Sequence, residues 1–166
     1  MALTGEKNIR GRKRHILVDT EGNLLTVVVH RANLPDRDGA RFVVEDADIV
    51  FPRLEKIWVD QAYNGDLADE LYTRYHVILT IVEKPPDQQG FVVVPRRWVV
   101  ERTFAWLGRY RRLSKDYEHR PEYSEAWVYI ASISRMLRKL HPNETEEWPY
   151  VRKRITTEVT IKPVCV

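Results

Sequence analysis

The apolar positions of this chain change period several times, and each change marks an element. His15 to Asp19 and Leu24 to His30 are aliphatic, β-branched runs separated by Thr20-Glu-Gly-Asn23. This predicts a hairpin, with Gly22 and Asn23 suited to positive φ. Leu24 to Val29 is nearly continuously apolar, which predicts cover on both faces. Asp19 ends the first strand and reads as a turn or cap residue. Arg31 to Arg37 is a loop containing Pro35, and Asp36 or Asp38 is suited to cap a helix. Ala40, Val43, Val44 and Ala47 have helical spacing, so that helix is expected to run to about Ala47.

Phe51-Pro52 stops it, and a short apolar strand follows, Lys56-Ile-Trp-Val59, ending at Asp60. A helix over Asp66 to Tyr75 carries Leu67, Ala68, Leu71 and Tyr72 on one face. Val77 to Val82 reads as another buried strand. Glu83 to Gly90 contains Pro85 and Pro86 and cannot continue the sheet. Phe91 to Pro95 leads into the next helix.

That helix belongs to Pro95 to Tyr117, PRRWVVERTFAWLGRYRRLSKDY. At about 100° per residue, Val99, Val100, Thr103, Phe104, Trp106, Leu107 and Tyr110 fill one apolar arc. Arg97, Glu101, Gly108 and Arg112 line its edge. Glu101 therefore falls between core and water, beside cations. A carboxylate there either does chemistry on a polyanion or pairs with Arg97 one turn earlier. Arg96, Arg97, Arg102, Arg109, Arg111, Arg112, Lys115 and Arg120 crowd this region, interleaved with Trp98, Phe104, Trp106 and Tyr110. Basic and aromatic crowding is the footprint of nucleic-acid contact. Asp60 also has two readings. It begins a loop, or it is a ligand at the carboxyl end of a strand, where open α/β sheets gather ligands and metals.

After a polar break at Glu118 to Pro121, Glu122 to Leu140 forms a second long helix. Its apolar side is expected to be Ala126, Tyr129, Ile130, Ile133, Met136, Leu137 and Leu140. Arg135, Arg138 and Lys139 suit its C-terminal dipole. His141 to Val166, with three prolines and several acids, reads as an appended tail, partly β at Ile155 to Ile161.

Composition sharpens this picture in two places. The net charge is only +3, yet the cations concentrate at residues 10–14 and 96–120, which points to a polyanion partner. The single Cys165 leaves no internal disulfide framework and no cysteine metal site, and it fits a cytoplasmic protein. No signal-peptide pattern and no apolar run of transmembrane length is present. A length of 166 residues suits one domain.

GRKRHILVDT, DRDGA, IWVDQAYNG, GFVVVPRRWVVERTFAWLGRYRRLSKDYE and ISRMLRKL together resemble bacterial insertion-sequence transposases of the DDE type. The resemblance covers Gly11 to Leu140. The element order, with one strand ending in Asp and a later helix bearing Glu, is that of a ribonuclease-H-like fold entered at its second strand. The expected class is therefore α/β, a mixed sheet flanked by helices and lacking its first strand. Residues 1–10 form a loose lead, 11–140 a partial catalytic domain and 141–166 the tail.

In that family three carboxylates hold two divalent ions, Mg²⁺ or Mn²⁺, which activate water or a 3′-hydroxyl against a phosphodiester. The resemblance makes Asp60 the second acid, Glu101 the third, and Arg97 the arginine that precedes the glutamate by four. The signature's tyrosine and lysine would fall near Val94 and Gly108, where neither residue stands. Arg111, Arg112 and Lys115 are expected to supply charge against phosphate, with Arg96, Arg102 and Arg109 as further DNA contacts. The family's first catalytic aspartate lies upstream of GRKRH, and none of the ten residues before Gly11 is Asp. Asp19, beside a turn, is a poor substitute. The edge beside His15 to Asp19 is thus expected to be open. The implied activity is DNA transposition by metal-dependent cleavage and strand transfer. Transposon-end and target DNA, a second copy and an upstream transposase fragment are the implied partners. The alternative is a catalytically inactive, DNA-binding remnant, or a structural domain whose arginines form a solvated face.

Overall fold

The computed structural model describes residues 11–60, 63, 65–82, 97–141 and 158–165. The elements are β1 (Arg12–Asp19), β2 (Leu24–Arg31), α1 (Asp36–Val50), β3 (Lys56–Val59), α2 (Leu67–Tyr75), β4 (Ile78–Ile81), α3 (Arg97–Leu107), α4 (Pro121–Leu140) and β5 (Glu158–Cys165). The strands form one mixed sheet in the order β2-β1-β5-β3-β4. β1 runs antiparallel to β2 and β5. β3 runs parallel to β4 and β5.

Alternation along β1 divides the core. Leu17 joins Ala40, Val43, Val44, Ile57, Val59, Leu67 and Leu71 on the α1/α2 side. Ile16 and Val18 join Val99, Val100, Leu107, Val128 and Ala131 on the α3/α4 side. β2 contributes to both clusters, so its continuous apolar run is covered on both faces as expected. The hairpin turn also follows the sequence. Gly22 has φ 80°, while Asn23 keeps a negative φ. Asp19 closes the turn by accepting from the backbone N–H of Glu21 (2.9 Å) and Asn23 (2.8 Å).

Several expectations are corrected. The edge beside β1 is not open. β5, from the segment read as a tail, pairs along it from Lys13 to Asp19 and lies at the centre of the sheet. β4 is an edge strand, and Ile78 is half exposed rather than buried. Neither Asp36 nor Asp38 caps α1; they pair with Lys13 and Arg41 instead. α3 stops at Leu107, so Arg109, Arg111 and Arg112 are off the helix. Gly108 is a weak helix former, and burial of Leu113 pulls the chain back toward the core.

The largest correction concerns α4. It buries Ser124, Val128, Ala131 and Ser132, whereas Ile130, Ile133, Leu137 and Leu140 are exposed. Small residues let the helix approach the sheet closely, and the bulky stripe is turned outward. Glu125 reaches from the same helix to the sheet and accepts the edge N–H of Val29 on β2 at 2.7 Å.

Candidate nucleic-acid and metal site

Asp60 stands just past the C-terminal end of β3. Ile57 and Val59 face the α1/α2 core, so strand alternation assigns position 60 to the opposite, α3/α4 face. Tyr63, three residues on, is anchored to this strand end and to β1. The Tyr63 backbone N–H donates to Asp60 O at 3.3 Å. The buried Tyr63 ring places its hydroxyl 3.4 Å from His15 Nδ1 on β1. Burial raises the Tyr63 phenol well above its ordinary range, so it acts here as a neutral hydroxyl. Gly65 has φ 114°, and the Arg37 guanidinium packs against it, 3.0 Å from where a Cβ would stand.

Glu101 lies on α3 and is exposed. The helix buries Val99, Val100, Thr103 and Leu107, so the predicted apolar arc holds and Glu101 sits outside it. α3 is fixed to the β1–β2 turn. Thr103 Oγ1 lies 3.2 Å from Gly22 O, and a Cβ on Gly22 would meet that hydroxyl at 2.7 Å. Arg102 stacks between Trp98 and Trp106, at 4.1 and 4.6 Å from their ring centres. Its Nη2 donates to Glu21 O at 3.1 Å. Arg135 of α4 also lies over the Trp106 ring, at 4.0 Å from its centre, and donates to Gly22 O at 2.6 Å.

The structure thus places Asp60 and the Glu101 helix on the same face of the sheet. Asp60 is at the end of β3 away from the turn that α3 clamps. Among the described residues, no group of three or more His, Cys, Asp or Glu is placed to hold a metal ion. The two carboxylates suit Mg²⁺ or Mn²⁺ in kind, as hard oxygen donors. They do not suit a two-ion site in number.

The basic residues separate into two groups. Arg102 is packed internally, as described. The lead-in cations are also consumed by the fold. Arg12 donates to Glu118 O at 2.9 Å and His119 O at 2.6 Å, and pairs with Asp116 at 3.1 Å. Lys13 holds Asp36 at 2.7 Å. Arg14, buried, donates to Leu113 O at 3.0 Å. Burial alone would raise the Asp116 carboxyl. Hydrogen bonds from Ser124 and Glu118 N–H, with the Arg12 charge, hold it below the usual carboxylate range instead.

These bonds fix the segment from Gly108 to Arg120. On it Arg109, Arg111 and Lys115 are exposed, and no ion pair holds them among the described residues. Arg112 is exposed as well, 3.3 Å from Glu118 and 5.3 Å from the Trp127 ring centre. Arg96 lies outside the described residues, and Arg97 is described only as the first residue of α3. Sequence reasoning missed Tyr63, His15 and Arg12. The tyrosine within DQAYNG was the available signal. Nothing local announces that His15 is its partner.

No helix among the described residues is long and apolar enough to cross a membrane. No solved structure matches the chain. A Burkholderia cepacia protein named as a transposase for insertion sequence element IS402 is 26% identical over 127 residues, covering 72% of this chain. The chain spans 60% of that protein's length. Residues 3–137 match the family described as the transposase DDE domain. The match takes in both Asp60 and Glu101, and the chain belongs to that family.

Proposed function

We propose that this chain serves DNA transposition, contributing two acids and a DNA-contact surface to a DDE transposase. The observation that carries the reading is the segment Gly108–Arg120. It is braced from β1 by Arg12 and Arg14 and presents Arg109, Arg111 and Lys115 to solvent. A fixed cluster of cations attracts phosphate with little further ordering. Arg96 and Arg112 extend this surface in the proposal, and Arg97 assists Glu101. Arg102, stacked between two tryptophans, supports the surface from beneath.

Asp60 and Glu101 are the proposed ligands of the divalent ion. When bound, Mg²⁺ or Mn²⁺ would polarise a phosphodiester and generate an oxygen nucleophile. The described residues hold two acids where the family uses three, so no cleavage step is assigned to this chain by itself. A second reading, a DNA-binding form without cleavage, rests on the same exposed Arg109, Arg111 and Lys115 and needs no metal ion. Transposon-end and target DNA, a second copy of the chain and an upstream transposase fragment are the partners the proposal names.

The test is a filter-binding and cleavage series on the full chain. Affinity for duplex DNA should fall steeply with salt. Replacing Arg109, Arg111 and Lys115 by Ala should lower the slope of log affinity against log salt by about 3, near 0.9 per lost phosphate contact. An unchanged slope removes the DNA-contact reading. Mg²⁺-dependent strand cleavage, abolished by Asp60→Ala and by Glu101→Ala, selects the catalytic form over the binding form.

A further inference from the structure

Helix α4 has two faces suited to packing, and the fold uses one. Ser124, Val128, Ala131 and Ser132 are buried, and the helix lies against β2. On the other side stand Tyr123, Ala126, Ile130, Ile133, Leu137 and Leu140, all exposed. The five larger ones are each at least half exposed. At about 100° per residue, the six share an arc of roughly 100° centred opposite the buried set. Their spacing alternates between three and four, so positions 123, 130, 137 and 126, 133, 140 form two series with a seven-residue repeat. A stripe that meets a core is broader and follows the 3.6 period. A strict seven-residue repeat is the seam that one helix offers another. Ile130, Ile133 and Leu137 line one shallow hollow along it, together with Arg138 and His141.

The charges at the ends of the seam select its partner. Glu122 stands in the first turn of α4 and Arg138 in the last. Both are exposed, and neither is in an ion pair among the described residues. Lys139, by contrast, is engaged within the chain by Glu21 and Asn23. A second α4, antiparallel about a two-fold axis, sets Ile130 against Ile133, Ala126 against Leu137 and Tyr123 against Leu140. Small then meets large, and Glu122 of each copy meets the end of the other that carries Arg138 and His141. A parallel copy would set Glu122 against Glu122 and Arg138 against Arg138, which repels. A two-fold contact of this kind is self-complementary and closes on itself. The sheet already holds α4 in place, so pairing it costs less ordering than pairing a free helix.

We propose that the outward face of α4 is a contact between two copies of this chain, packed antiparallel as a short coiled coil. The contact rests on α4 alone and stands whether or not the chain binds DNA. It sets the two copies of residues 108–120, which precede α4, at opposite ends of the paired helices. For a 20-residue helix that separation is about 30 Å.

The test is sedimentation equilibrium of the full chain without DNA. A reversible monomer–dimer equilibrium is expected, with a dissociation constant on the order of micromolar, as suits a small interface. Leu137→Arg enters the dimer twice and should weaken it at least about thirtyfold. Leu137 is exposed in the single copy, so the urea midpoint of the dilute chain should stay where it is. Glu122→Arg should weaken the dimer about fivefold. Adding Arg138→Glu to that variant should restore the affinity, because each cross-pair is then reversed. The proposal is overturned if the chain is a monomer up to about a hundred times that concentration, or if Leu137→Arg leaves a dimer intact. A monomer whose urea midpoint falls with Leu137→Arg also overturns it, since the chain's own residues then cover the stripe. Failure of the double variant to recover affinity overturns the antiparallel order.

Discussion

Gly39 shows how much a single position can govern. It sits in α1 directly over a stacked pair of histidines, His15 and His30, whose ring centres are 4.7 Å apart. A Cβ at Gly39 would lie 2.4 Å from His15 Nε2 and 2.6 Å from His30 Nε2. Neither atom has a hydrogen-bond partner among the described residues; the polar contacts of the two rings run through Nδ1, to the Tyr63 hydroxyl at 3.4 Å and to Arg31 O at 2.8 Å. Gly39→Ala should therefore destabilise the protein by about 2–3 kcal/mol through overpacking, despite alanine's better helix propensity. Urea denaturation measures it, and an unchanged midpoint would refute the close approach. His15 also sets a pH dependence. Burial first, then the His30 charge, lowers its pKa from 6.5 to about 4. The unfolded chain takes up this proton near pH 6.5, and the folded protein resists until about 4. The contribution is thus fully present above pH 6.5 and is lost as pH falls toward 4, by up to about 3 kcal/mol. Denaturation of the native chain and His15→Gln across this range should give curves of different slope; parallel curves would refute the assignment. The region DRDGA pointed to a helix start, but nothing in it revealed that Gly39 rests on histidines from two strands.

At the scale of elements, the hairpin, α1, β3, α2 and α3 were legible because one local signal fixed each. Gly22 and Asp19 set the turn, and the arc around Val100 and Leu107 set the face of α3. α4 was legible as a helix and misread as a face. Its larger residues outvoted Ser124, Ala131 and Ser132, yet close approach to a sheet selects small side chains, not hydrophobic ones. β5 was the least legible. Lys162 and Pro163 break its apolar run, and its partners on β1 lie at the other end of the sequence. The joint between α3, α4 and the β1–β2 turn yields a further prediction. Arg135 both stacks on Trp106 and donates to Gly22 O. Arg135→Ala should cost about 1–3 kcal/mol. Arg135→Lys should recover little, because an ammonium lacks the planar fork that stacks and donates together. Chemical denaturation of the two variants decides it, and full recovery by lysine would mean that charge alone matters.

At the scale of the molecule, strand alternation assigns position 60 to the face of the sheet that α3, with Glu101, covers. What the residues could not disclose is that the place between β1 and β3 is filled from the far end of the chain. Of the five strands among the described residues, the one in the middle is the last in sequence. On the ribosome, β1 and β3 therefore emerge with their facing edges bare and wait for residues 158–165 before the sheet can close. Pairs such as Lys13 with Cys165 give the fold a high contact order, which slows closure further. Each newly made copy passes through an interval in which the groove between β1 and β3 is vacant.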